Sequence, residues 1–157
     1  MKINWIIENM LAHSIYPYSK EQFNELYKRG IRAIVSLVNR SDNEKILINE
    51  MGFEYFEVGV KDYTAPTIEQ LEKINFFIDS MISINKPVLV HCIAGGRSGT
   101  VLVSYLIKHG GTFNDSISKV RGLIRDIVIV ECQEQEEILK KFELYMRKNN
   151  NKRVHND

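Results

Sequence analysis

Cysteine is nearly missing from this sequence. Two occur among 157 residues, Cys92 and Cys132, too few for a disulfide framework and in keeping with a reducing compartment. A dominant charge is missing too, with 21 Lys and Arg against 20 Asp and Glu and a formal net charge of +1. The overall balance therefore calls for neither nucleic acid nor an anionic membrane as partner, and any affinity for anions must be local. No apolar run approaches the ~18 residues of a spanning helix. The opening MKINWIIENMLAHS is broken by Asn4, Glu8 and Asn9 and does not read as a signal peptide. Internal repeats and low-complexity segments are lacking. So are sets of His, Cys, Asp and Glu at metal-ligand spacing, and the expectation is a metal-free site without a cofactor. What remains is an ordinary globular composition, 44% hydrophobic and 26% charged. It implies one cytoplasmic domain over residues 1–147 and a polar tail over 148–157.

Strand and helix patterns alternate along the chain. Ile31 to Val38 is a β-branched apolar run suited to a buried parallel strand. The preceding SKEQFNELYKRG reads as a helix with Ser19 as N-cap and Gly30 as its stop. Ser41 to Met51 predicts a second helix, and FEYFEVGV a second strand. Thr67 then caps a long helix whose Ile68, Leu71, Ile74, Phe77, Ile78 and Met81 recur at helical spacing, a core stripe. After Pro87, PVLVH is a third buried strand. Helices are expected at Ser98 to Lys108, about Asn114 to Gly122, and about Gln133 to Met146, with one or two short edge strands around Trp5. The fold class is α/β, a mostly parallel sheet flanked by helices on both faces. In such folds the site lies beyond the carboxyl ends of the strands. That rule points to the loop after PVLVH.

The loop reads His91-Cys92-Ile93-Ala94-Gly95-Gly96-Arg97-Ser98-Gly99-Thr100. A strand ends, a glycine-rich turn follows, and a helix begins. Backbone N–H groups of such a turn, with the positive end of the helix, form an anion-binding concavity. The same field favours a thiolate at a neighbouring cysteine. Arg97 adds a planar fork suited to two phosphate oxygens at once.

The stretch VLVHCIAGGRSGTVLVSYLI resembles the signature of the protein-tyrosine phosphatase superfamily, which reads His-Cys, five residues, Arg, then Ser or Thr. The early segment WIIENMLAHSIYP and KDYTAPTIEQLEKI are similar to the compact archaeal enzymes of dual-specificity type. The likeness extends over residues 3 to 146. It implies hydrolysis of phosphomonoesters through a phosphocysteine intermediate, on phosphotyrosine and, for dual specificity, phosphoserine or phosphothreonine. Cys92 would be the nucleophile. The amides of Ile93, Ala94, Gly95 and Gly96, with Arg97, would hold the phosphoryl oxygens. Ser98 would donate a hydrogen bond to the departing thiolate, and His91 would orient the loop. Asp62, in the loop after FEYFEVGV, would be the general acid, a role that contributes ~10²–10⁴-fold. Gln135 falls where related enzymes position water. The implied partners are a phosphorylated protein or peptide and an oxyanion in the loop, with no nucleic acid and no membrane.

The chain departs from the signature at one point. Four residues separate Cys92 from Arg97, where the family has five. The missing residue removes one amide donor and up to ~3.5 Å of chain. Anchored from the helix side, the loop keeps Arg97 in place and draws Cys92 inward. Anchored from the cysteine side, it puts Ser98 where the arginine belongs. Weakened hydrolysis is expected. Two alternatives stay open: a phosphate- or phosphopeptide-binding module with little turnover, and a sulfurtransferase of rhodanese type, whose cysteine loops are one residue shorter than the phosphatase loop. Lys61 stands where a proline often precedes the acid, and Arg121 and Arg125 fit surface or ion-pair roles as well as functional ones.

Overall fold

The computed structural model describes residues 1–156, with side chains to residue 152. Five strands, β1 (Asn4–Ile7), β2 (Leu11–His13), β3 (Ala33–Ser36), β4 (Glu54–Glu57) and β5 (Val88–His91), form one sheet in the order β1-β2-β5-β3-β4. Only the β1–β2 pair is antiparallel; β2–β5, β5–β3 and β3–β4 are parallel. The sheet is buried on both faces, so its central strands need no polar alternation. Ala33, Val35, Val88 and Val90 face one apolar cluster, while Ile34 and Leu89 face the other.

Helices α1 (Lys20–Lys28) and α2 (Asp42–Glu50) cover the second face, burying Phe23, Leu26 and Ile48. The first face receives α3 (Ile68–Ser83), α4 (Gly96–Lys108), α5 (Phe113–Leu123) and α6 (Gln133–Asn156). Local chemistry fixes the helix starts. Ser19 and Thr67 each close a capping box with the glutamine three residues on, and Ser41 and Thr112 accept from the N3 amide. Each such cap stabilises its helix by ~1 kcal/mol. Gly30 follows α1 at φ 99°, a left-handed turn that costs glycine little. Helix α4 is the hub, with Thr100 to Tyr105 all buried between the sheet, α3, α5 and α6.

Two elements differ from the sequence reading. Helix α4 begins at Gly96 rather than Ser98, because the shortened loop leaves Gly95 as N-cap, without a side-chain cap bond. Helix α6 runs past Met146 to Asn156, so the expected polar tail continues the helix. No Gly or Pro follows Met146 to end it, and Arg147 pairs with Glu143 one turn back at 3.0 Å. Asp157 lies outside the described residues. Among those residues no helix is long and apolar enough to cross a membrane. Nor is any group of three or more His, Cys, Asp or Glu placed to hold a metal ion.

Candidate active site

The carboxyl ends of β3, β4 and β5 open on one edge of the sheet. Ser36 pairs with His91 on one side and Glu57 on the other. Cys92 is the first residue beyond β5, and the chain needs only Ile93, Ala94 and Gly95 to reach α4. Cys92 is 2% exposed, within the apolar cluster of the first sheet face. Its sulfur lies 3.2 Å from Ser98 Oγ, in the first turn of α4. That turn also presents the amides of Gly96, Arg97 and Ser98, which have no acceptor within the helix. Cys92, the helix amides and Ser98 are thus brought together.

His91 is wholly buried, and its ring bonds identify its tautomer. Nδ1 donates to the Cys92 carbonyl (3.0 Å), so Nε2 is left to accept from Arg40 Nη2 (3.1 Å). Burial, reinforced by the Arg40 guanidinium, pushes the His91 pKa down to about 3. Arg40 also donates to the Pro17 carbonyl (2.7 Å) and stacks over the Tyr16 ring at 4.2 Å. On the outer side of the loop, the Tyr16 amide donates to the Ile93 carbonyl (3.2 Å). The loop backbone is therefore tied down from behind by His91, Arg40 and Tyr16.

Arg97 is also buried, at 5% exposure. Its Nη1 donates to the Val60 carbonyl (2.7 Å), its Nη2 lies 3.5 Å from Asp62 Oδ1, and its Nε has no protein partner. The structure therefore brings Asp62 to Arg97 and joins the loop after β4 to the start of α4. A cleft of about 410 Å³ opens there, lined by Asn39, Gly59, Lys61, Asp62 and Arg97 among others. Asp62 itself is largely open to solvent. A larger groove of about 820 Å³ lies between α3, the end of α4 and α6, around Phe76, Phe142 and Met146. It holds none of the candidate chemistry, and depth alone does not make a site of it.

Gln135 is fully buried and engaged at both ends of its amide. Oε1 accepts from the Glu131 amide (2.8 Å), and Nε2 donates to the Thr64 carbonyl (3.0 Å). It clamps the Asp62-bearing loop to the segment before α6. Glu134 and Cys132 reach the same loop at the Ala65 amide (3.3 Å) and the Tyr63 carbonyl (3.5 Å). Arg121 holds the carbonyls of Ile129 and Val130, each at 3.2 Å, where Val130 takes a left-handed φ of 59°. For a β-branched residue that conformation is rare. The same segment packs on the loop glycines: a side chain added at Gly95 would meet Ile127 and Ile129, one at Gly99 would meet Ile129, and one at Gly96 would meet the Glu131 carboxylate.

Three residues of this site carried no signal in the sequence. His13 ends β2, and its Nε2 lies 2.8 Å from Ser98 Oγ. Arg40 follows β3, and Glu131 precedes α6. Each reaches the loop only through the strand order or through the close approach of a neighbouring segment.

The comparisons with known proteins agree with this geometry. The family model described as "Polymorphic toxin system, DSP-PTPase phosphatase" matches residues 12–111. The tyrosine-protein phosphatase MSG5 of Saccharomyces cerevisiae is 25% identical over 123 residues, covering 75% of this chain and 24% of that protein. The uncharacterized protein MJ0215 of Methanocaldococcus jannaschii is 38% identical over 92 residues, covering 58% of this chain and 55% of its own length. The chain thus spans about a quarter of the yeast relative and about half of the methanogen one. The crystal structure of Tk-PTP in its active form superposes with a TM-score of 0.79 at 32% identity, covering 90% of this chain and 95% of that one. These matches do not favour the sulfurtransferase alternative. A cysteine loop between a parallel strand and a buried helix, a family model across residues 12–111 and a structural relative over nearly its whole length lead to one conclusion: this chain belongs to the dual-specificity and tyrosine phosphatase family.

Proposed function

We propose that the domain over residues 1–147 hydrolyses phosphomonoesters of phosphorylated proteins or peptides through a phosphocysteine on Cys92. The observation that carries this reading is the Cys92 sulfur 3.2 Å from Ser98 Oγ at the amino end of α4, with Arg97 and Asp62 paired on the same strand edge. In the first step the Cys92 thiolate attacks phosphorus and the substrate oxygen leaves, taking a proton from Asp62. In the second, Asp62 accepts a proton from water as that water displaces sulfur, and Ser98 donates to the departing thiolate. The amides of Ile93 to Gly96 and the Arg97 guanidinium hold the charged phosphoryl oxygens. To do so, Arg97 turns part of its fork from Val60 and Asp62 to the anion, and this frees Asp62 for the proton. His91 holds the loop from behind, and Gln135 fixes the position of the acid loop. The one-residue-short loop makes the reaction slow, since a misplacement of about 1 Å can cost ~10²-fold. The cytoplasm, with its reduced thiols, suits a free nucleophilic cysteine.

The test compares wild type, Cys92→Ser and Asp62→Asn on phenyl phosphate and on an activated aryl phosphate. Loss of both activities in Cys92→Ser is expected, together with a loss of ~10²-fold or more in Asp62→Asn on phenyl phosphate alone. Tight binding of a phosphopeptide by wild type without phosphate release would replace hydrolysis with the binding reading.

A further inference from the structure

Three side chains from distant parts of the chain form a buried line at the candidate nucleophile. His13 Nε2 lies 2.8 Å from Ser98 Oγ, and that oxygen lies 3.2 Å from the Cys92 sulfur. Sheet order makes this possible: β2 runs beside β5 with His13 opposite Val90, two residues before Cys92. His13 and Ser98 are both fully buried, so water does not compete for either bond. The hydroxyl between them has a single proton. If His13 Nε2 is the unprotonated nitrogen, that proton goes to the ring and the sulfur faces only an oxygen lone pair. If Nε2 carries the hydrogen, the ring donates to Ser98, and the Ser98 proton is left for sulfur. The buried environment selects between the two. Nδ1 has no partner, and a buried N–H without an acceptor is the rarer and costlier orphan. The hydrogen therefore belongs on Nε2.

We propose that His13 is a positioning residue for Cys92. Its Nε2–H donates to Ser98 Oγ and aims the serine proton at sulfur, so that the thiolate is stabilised both as attacking group and as leaving group. The inference rests on the reading of Cys92 as nucleophile, yet its readout needs no substrate. Burial lowers the His13 pKa to about 4, opposed first by the ring's contact with the Ala94 backbone and then by Asp126. The ring acts as a neutral donor near pH 7 and transfers no proton. The other groups bearing on this line are His91 from β5, Arg40 after β3 and Arg97 from α4, with His91 neutral.

The experiment titrates the ultraviolet absorbance of the thiolate in a Cys132→Ser background, where Cys92 is the sole thiol. His13→Leu and Ser98→Ala should each move the titration to higher pH by about one unit, the scale of one lost hydrogen bond to a charge. The double variant should shift no further than Ser98→Ala alone, because His13 acts only through that hydroxyl. His13→Gln, whose amide nitrogen reaches the position of Nε2, should recover most of the shift. If the leucine variant does not fold, His13→Asn, whose amide falls short of Ser98, takes its place. An unshifted titration in a folded His13→Leu or His13→Asn, or shifts that add in the double variant, would overturn the proposal and leave His13 a core residue. A shifted titration in a protein that releases no phosphate from any aryl phosphate would keep this inference and sink the hydrolytic reading.

Discussion

Stability should fall steeply between pH 6.5 and 5, and two buried histidines set the slope. Burial holds His91 at about 3 and His13 at about 4, against 6.5 for a solvated imidazole. Well above pH 6.5 both rings are neutral whether the chain is folded or not, and they contribute no pH dependence. Below 6.5 the unfolded chain takes up two protons that the native chain refuses, so native stability declines until the folded values are reached. From pH 6.5 to 5 the loss is about 1.6 kcal/mol for each ring, the slope reaching 1.36 kcal/mol per unit only once the unfolded ring is fully charged. Two rings together remove about 3 kcal/mol of the 5–15 kcal/mol typical of a domain. Glu57 and Asp79, whose carboxyls are held below their usual range by Tyr55 and Lys45 in one case and Lys108 and Tyr105 in the other, lose their stabilisation at lower pH. The window from 6.5 to 5 therefore reports the histidines first. Urea unfolding followed by the fluorescence of Trp5, the one tryptophan, measures it. His13→Gln should halve the slope. A stability constant within about 0.5 kcal/mol from pH 7 to 5 would refute the reasoning, since it requires either native protonation of these rings or an unfolded state that keeps them buried.

Other expectations concern the loop and the core. Gly99→Ala points a methyl group into Ile129, itself buried, and should destabilise the fold by about 1–3 kcal/mol, read as a lower Tm. Phe142→Ala empties a fully buried site beneath α6 and should cost about 3–5 kcal/mol in urea unfolding. Inserting one residue between Gly95 and Gly96 restores the family spacing and should raise turnover of an aryl phosphate by at least ~10-fold. An insertion that leaves an already fast enzyme unchanged would make the short loop a competent cradle in its own right.

Much of this architecture is legible in the sequence. Ser19 and Thr67 announced two helix starts, because a cap is a local bond between neighbours in sequence. The His91-to-Thr100 segment announced the loop, because strand, glycines and helix follow one another without interruption. What could not be read depends on contacts between distant segments. His13 and Arg40 have ordinary neighbours in sequence and meet Ser98 and His91 only because β2 and β3 flank β5. The bonds of the Gln135 amide to Glu131 and Thr64 are of this kind too. The run Ile127 to Val130 has the composition of a strand but finds no strand to pair with, and Arg121 takes its carbonyls instead. The early start of α4 follows from the missing loop residue, whose absence was legible while its structural consequence was not.

In the proposed mechanism Cys92 carries the phosphoryl group. Wild-type protein turning over an aryl phosphate, quenched rapidly in acid and digested for mass spectrometry, tests it most directly. The peptide containing Cys92 should gain the mass of one phosphoryl group, the adduct should disappear in Cys92→Ser along with phosphate release, and it should accumulate when Asp62→Asn slows the attack of water. Phosphate release by Cys92→Ser at the wild-type rate, or an adduct on any other residue, would contradict it.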